Sequence, residues 1–121
     1  MPITNILVVD DSPTDRAYLS ELLSKNGFKV STAESAEDCM AKVKQLRPDL
    51  VLMDVIMPGQ NGFQATRALS KDESTKDIPV IICTSKGQET DKVWGLRQGA
   101  RDYVVKPVNP ADLLAKIAAL G

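Results

Sequence analysis

Asp54 closes the run "DLVLMD", whose Leu50, Val51, Leu52 and Met53 are apolar enough to be buried on both faces. Delivering a charge to the tip of a buried strand costs free energy, so the carboxylate asks for a partner or a task. Four other reactive side chains also end apolar runs. Asp10 and Asp11 close "NILVVDD", Thr84 closes "IICT" and Lys106 closes "DYVVK". If these ends meet, three carboxylates crowd one place, and two unit charges about 4 Å apart at an effective dielectric near 20 repel by about 4 kcal/mol. Either one carboxyl stays protonated or a cation sits among them. Lys106 is one source of positive charge. A divalent ion held by oxygen is the other, and magnesium takes one or two carboxylates while keeping room for phosphate oxygens. Asp54, an ammonium, a hydroxyl and a metal are together the parts for phosphoryl transfer to a carboxylate. Asp54 is the candidate nucleophile because it stands alone at its strand tip, while the adjacent Asp10 and Asp11 can grip a metal directly and through water. The plainer alternative for each aspartate is a turn former or a helix cap.

Other chemistries are excluded by what the chain lacks. Its 121 residues contain no histidine, which removes Ser-His-Asp and Cys-His nucleophiles, histidine-ligated zinc and a phosphohistidine carrier role. A formal charge of −1 offers no basic field for nucleic acid, and no apolar run approaches a membrane span. The start "MPITN" lacks a signal peptide's basic and apolar regions, so the cytoplasm is the expected location. Cys39 and Cys83, far apart in apolar surroundings, are expected to be reduced packing residues.

The elements that must carry these side chains alternate along the chain. "NILVVD", "FKVSTA", "DLVLMD", "IPVIICTS" and "RDYVVKP" read as strands. Helices are predicted over 13–26, 35–46, 62–70, 89–98 and 110–120. The first begins on Ser12 as N-cap with Pro13 in its first turn, and Asp15 completes a capping-box pattern. Its apolar residues Ala17, Tyr18, Leu19, Leu22 and Leu23 are expected on one face, with Gly27 as its stop. Gly99 stops the fourth. In that helix Val93, Leu96 and Ala100 have the spacing of a buried stripe, with Trp94 about 100° off it, either half-buried in a groove or exposed as a partner anchor.

Strand–helix alternation of this kind implies an α/β fold, a doubly wound five-stranded parallel sheet; right-handed crossovers leave few topologies, and the commonest is order 2-1-3-4-5, flavodoxin-like. In that order the chain reverses direction between the first and third strands, and a crevice opens at their carboxyl ends, where Asp10, Asp11 and Asp54 stand. Length and the absence of linkers or repeats predict one domain, 1–121.

The segments "LVVDDSP", "VLMDVIMPGQNGF", "PVIICTSKG" and "GARDYVVKPV" resemble those of bacterial response-regulator receiver domains of the chemotaxis-regulator type, over Ile6 to Ala119. The resemblance implies a phospho-acceptor at Asp54. It implies magnesium on Asp11, Asp54 and the Ile56 backbone carbonyl, with Asp10 acting through water, and Thr84 and Lys106 on the phosphoryl group. It further implies a cis Lys106–Pro107 bond and a switch in which Thr84 moves and Tyr103 rotates into the vacated space. Ile56 and Lys86 fall at the positions that tune dephosphorylation, and an apolar Ile56 predicts self-dephosphorylation no faster than in regulators polar at both. Beyond self-phosphorylation and autodephosphorylation no enzyme activity is implied.

In such domains the fourth helix, fifth strand and fifth helix meet partners; here that face includes Lys92, Trp94, Arg97, Arg101, Tyr103, Val105 and Lys116. "NGFQATRALSKD" and "TSKGQETDKVWGLRQGARDYVVKPV" are similar to the PilH-type subgroup, regulators of type IV pilus twitching motility. That implies a CheA-like histidine kinase, or its phosphotransfer domain, as donor and a downstream protein of unknown identity. A phosphate sink draining a shared kinase and a pseudo-receiver that never takes phosphate are the alternatives. A haloacid-dehalogenase-type enzyme would need a second Asp where Ile56 stands.

Overall fold

A computed structural model describes residues 2–57 and 61–120; Pro58–Gly59, a dipeptide that reads as a turn, lies outside the described residues. The elements run β1 (Asn5–Val9), α1 (Pro13–Lys25), β2 (Lys29–Ala33), α2 (Ala36–Leu46), β3 (Leu50–Met53), α3 (Gly62–Lys71), β4 (Val80–Thr84), α4 (Glu89–Arg97), β5 (Asp102–Val105) and α5 (Pro110–Leu120). All pairings are parallel and the sheet order is β2-β1-β3-β4-β5, as the alternation predicted.

Period-two alternation on the strands sorts the core into two layers. Leu7 and Val9 of β1 and Val51 and Met53 of β3 face α2 and α3, against Cys39, Val43, Ala65 and Leu69. Ile6, Val8, Leu50 and Leu52 face the other way, against Leu19 and Leu23 of α1 and Leu113 and Ile117 of α5. Every residue of β3 is buried, as its apolar run required. Burying a side chain of this size stabilises by about 1.5–3 kcal/mol, so the central strands anchor whatever stands at their ends.

The ladder runs one residue past three strands. Asp54 N–H donates to Val9 O at 2.9 Å, Asp10 N–H to Ala33 O at 3.1 Å and Lys106 N–H to Thr84 O at 2.8 Å. These bonds fix Asp10, Asp54 and Lys106 at one carboxyl edge of the sheet. Caps hold the helices that follow. Ser12 accepts from Asp15 N–H, Ser35 from Asp38 N–H, and Asn61 and Gln64 form a complete capping box on α3. Gly27 and Gly99, at φ of +90° and +109°, end α1 and α4 in the left-handed region that glycine tolerates best.

Three expectations need correction. On α1 only Leu19 and Leu23 are fully buried, while Ala17 and Tyr18 are exposed, because α1 meets the sheet along a narrow line. On α4 Val93 and Leu96 are 43% and 48% exposed, and the helix instead turns Gly95 to the sheet. A Cβ at Gly95 would lie 2.7 Å from Ile82 Cδ1 and 3.1 Å from the Tyr103 ring, so backbone rather than side chains makes this contact. With the helix so rotated, Trp94 is 52% exposed. The third correction concerns Asp15. Its carboxylate does not close a capping box on Ser12, since the Ser12 N–H donates to Asp10 Oδ1 at 2.9 Å and Asp15 is bonded elsewhere.

Candidate functional site

The carboxyl edge of β1, β3, β4 and β5 brings together the residues singled out by type and spacing. Asp10 and Asp54 are 1% and 6% exposed, Asp11 is exposed, and each offers an oxygen within 4.8 Å of the others. The Lys106 ammonium lies on this cluster, 2.6 Å from Asp10 Oδ2 and 3.3 Å from Asp54 Oδ2. It also donates to Asp15 Oδ2 at 2.9 Å, a partner that sequence reasoning assigned to a helix cap and so missed. The peptide bond after Lys106 is cis.

Local hydrogen bonds hold the Asp54 carboxylate and the Asp10 backbone in place. Ile56 N–H donates to Asp54 Oδ1 at 3.0 Å, and Arg16 Nη1 to the Asp10 carbonyl at 2.7 Å. Gly62 lets α3 press on the same segment, for a Cβ there would come 2.1 Å from the Asp54 carbonyl oxygen. The electrostatics follow from burial. Desolvation holds the Asp10 carboxyl above its ordinary value, more than Lys106 and the Ser12 N–H lower it. Burial alone would lower the Lys106 pKa, but its bonds to Asp10 and Asp15 outweigh that and hold the ammonium protonated well above the ordinary lysine value.

Thr84 supplies the second chemical clue. Its hydroxyl is fully buried and has no hydrogen-bond partner among the described residues. An unmet buried hydroxyl costs about 1–3 kcal/mol, a cost that an oxygen acceptor entering this edge would offset. An all-oxygen acidic triad beside an ammonium and this hydroxyl suits a hard dication together with an anion of many oxygens.

At the mouth, Asp11, Ile56 and Lys86 line an opening of about 420 Å³ with Val55 and Met57. Lys86 reaches Asp91 at 3.9 Å, and its carbonyl accepts the Tyr103 hydroxyl at 2.7 Å. Tyr103 is 6% exposed, packed in a small cluster with Val55, Ile82 and Ala100. Its placement on an exposed partner face is therefore corrected: the space over Gly95 takes the ring inward. Of the rest of that face, Trp94, Arg97 and Arg101 are exposed and Lys92 and Val105 are half-buried. Lys116 is tied to the Tyr103 carbonyl at 3.0 Å and to Asp112 at 3.2 Å. Cys39 and Cys83 are buried free thiols.

The family model for the response regulator receiver domain matches residues 6–118 of this chain. The chain belongs to that family. The receiver is 57% identical over 118 residues to protein PilH of Pseudomonas aeruginosa, covering 98% of each chain. It is 39% identical to the phosphate regulon regulator PhoB of the same species, of which it spans 50%. Among solved structures it resembles the chemotaxis protein CheY4 of Vibrio cholerae at TM-score 0.91 and 31% identity, covering 98% of this chain and 99% of that one. A BeF3-activated DrrB receiver domain matches at TM-score 0.86 and 30% identity, with 99% and 97% covered. As a receiver, the protein's chemistry is phosphoryl self-transfer, and its donor is a histidine kinase. The Ile56 position, which a dehalogenase-type enzyme would fill with a second Asp, agrees with this.

Proposed function

We propose that this receiver takes a phosphoryl group onto Asp54 from a CheA-like histidine kinase or its phosphotransfer domain, with magnesium, and passes the signal on by protein–protein contact in control of type IV pilus twitching motility. The observation that carries the phosphoryl reading is the buried, unpartnered Thr84 hydroxyl at the same edge as Asp54 and the Lys106 ammonium. The extensive match to PilH supports the pilus assignment and a single-domain unit, 1–121.

In this reading an Asp54 oxygen attacks phosphorus as the bond from phosphorus to the donor's imidazole nitrogen breaks, and the electron pair leaves with the imidazole. Charge spreads over the equatorial oxygens during the transfer. Lys106 donates to one of them and Thr84 to another. Asp11, Asp54 and the Ile56 carbonyl would hold the magnesium, with Asp10 acting through water; when bound, the ion neutralises carboxylate and phosphoryl charge. Once Thr84 is drawn toward the phosphoryl group, the packing between Thr84 and Tyr103 changes, and Tyr103, through its bond to the Lys86 carbonyl, couples this to the loop before α4. Ile56 and Lys86 at the mouth set how water reaches the acyl phosphate, and Lys92, Trp94, Arg97, Val105 and Lys116 offer the surface a partner would read. No described helix is long and apolar enough to cross a membrane.

Incubation with acetyl phosphate and magnesium should add one phosphoryl mass to the wild-type protein and none to Asp54→Asn. Labelling of Asp54→Asn to the same extent, or no labelling of wild type at saturating donor, would mark the chain as a module that does not use Asp54 in this way.

A further inference from the structure

We infer that Asp15 is a positioning residue that receives the Lys106 ammonium when a dication enters the acidic pocket; this rests on the phosphoryl-transfer reading above. A lysine ammonium has three N–H donors. Here they meet Asp10 Oδ2 at 2.6 Å, Asp15 Oδ2 at 2.9 Å and Asp54 Oδ2 at 3.3 Å. Two of those three acceptors belong to the carboxylate triad that could hold a metal ion, and Asp15 alone does not. Lys106 therefore shares two carboxylates with any dication bound there, and the two cations repel one another.

Asp15 resolves the conflict by geometry. It stands in the first turn of α1, at the side of the pocket, with its side chain 43% exposed. A cavity of about 380 Å³ opens on this side, lined by Thr14, Asp15, Tyr18, Leu19, Lys106, Pro107 and Val108. Lys106 has room to lean toward Asp15 while its other donors turn from Asp10 and Asp54 to a phosphoryl oxygen. The helix start does not hold the Asp15 carboxylate: Ser12 Oγ caps α1 by accepting from Asp15 N–H, and Ser12 N–H donates to Asp10 Oδ1 at 2.9 Å. Among the described residues the Asp15 carboxylate bonds to Lys106.

The inference predicts that Lys106 competes with the metal more strongly once Asp15 loses its charge. Isothermal calorimetry with magnesium chloride alone, on wild type, Asp15→Asn, Lys106→Met and the double variant, separates this from simple charge loss. Asp15→Asn should weaken magnesium binding by about threefold where Lys106 is present, the size expected of a part-exposed ion pair, and by much less in the Lys106→Met background. Asp15→Glu, which retains the carboxylate, should restore binding close to wild type, and thermal unfolding of each variant checks that the fold is intact. Equal losses in both backgrounds would make Asp15 only a distant charge and overturn the inference, as would unchanged or tighter binding in Asp15→Asn. Absence of magnesium binding by wild type is a different result: it overturns the reading of the pocket and the inference with it.

Discussion

Thr84 and the aspartates near it carry a cost in stability that the proposed phosphoryl transfer would account for. A buried hydroxyl with no partner among the described residues is a standing cost, about 1–3 kcal/mol, that a methyl group of the same shape would not incur. Thr84→Val should therefore unfold at higher urea than wild type, by roughly 1 kcal/mol, yet accept phosphoryl groups from acetyl phosphate more slowly. A variant that is both less stable and equally fast would show that the hydroxyl has a structural partner and no part in the transfer. The same trade explains Asp10. Its burial disfavours the charge it carries, and Lys106 is the compensation the protein provides.

Among the elements, α4 is the one whose packing departs most from its pattern. Replacing a mid-helix glycine by alanine ordinarily stabilises a helix by about 1 kcal/mol. At Gly95 the new Cβ would press on Ile82 and on the Tyr103 ring, and overpacking of this kind costs about 1–3 kcal/mol. Gly95→Ala is expected to be a net destabilisation in urea unfolding and to push Tyr103 outward. The ring reports this directly, because burial raises the Tyr103 phenol to about 12 from an ordinary 10.0. In the variant its titration, followed by absorbance, should fall back toward the ordinary value; an unchanged titration would mean that the helix moves and the ring stays.

For the molecule as a whole, the alkaline limit of stability follows from its buried acids. Burial pushes the Cys39 and Cys83 thiols up to about 12 from 9.0. Above pH 9 the unfolded chain releases these protons while the folded chain keeps them, so the unfolded state binds fewer protons and stability falls as pH rises. The loss begins near the unfolded thiol value and is complete only near the folded one. Each thiol contributes up to about 1.4 kcal/mol per pH unit, and Tyr103 joins from about pH 10 upward. Urea midpoints measured at pH 8, 9, 10 and 11 should decline accordingly. The double variant Cys39→Ala, Cys83→Ala should lose most of the decline between pH 9 and 10, whatever its absolute stability.

Composition and period determined the strands and their alternation with helices, and right-handed crossovers left few sheet orders, of which the commonest, the one found, gathers Asp10, Asp11, Asp54, Thr84 and Lys106 at one edge. The Ser12 cap was readable too, since a cap acts within four residues of itself. Tertiary structure decided the rest. Asp15 read as a cap because its true partner, Lys106, lies 91 residues away, and no local pattern ranks a nearby N–H against a distant ammonium. Val93 and Leu96 read as core because helical spacing says which residues share a face, and only the neighbouring Tyr103 and Ile82 could show that the face turned inward is the one with no side chain at Gly95.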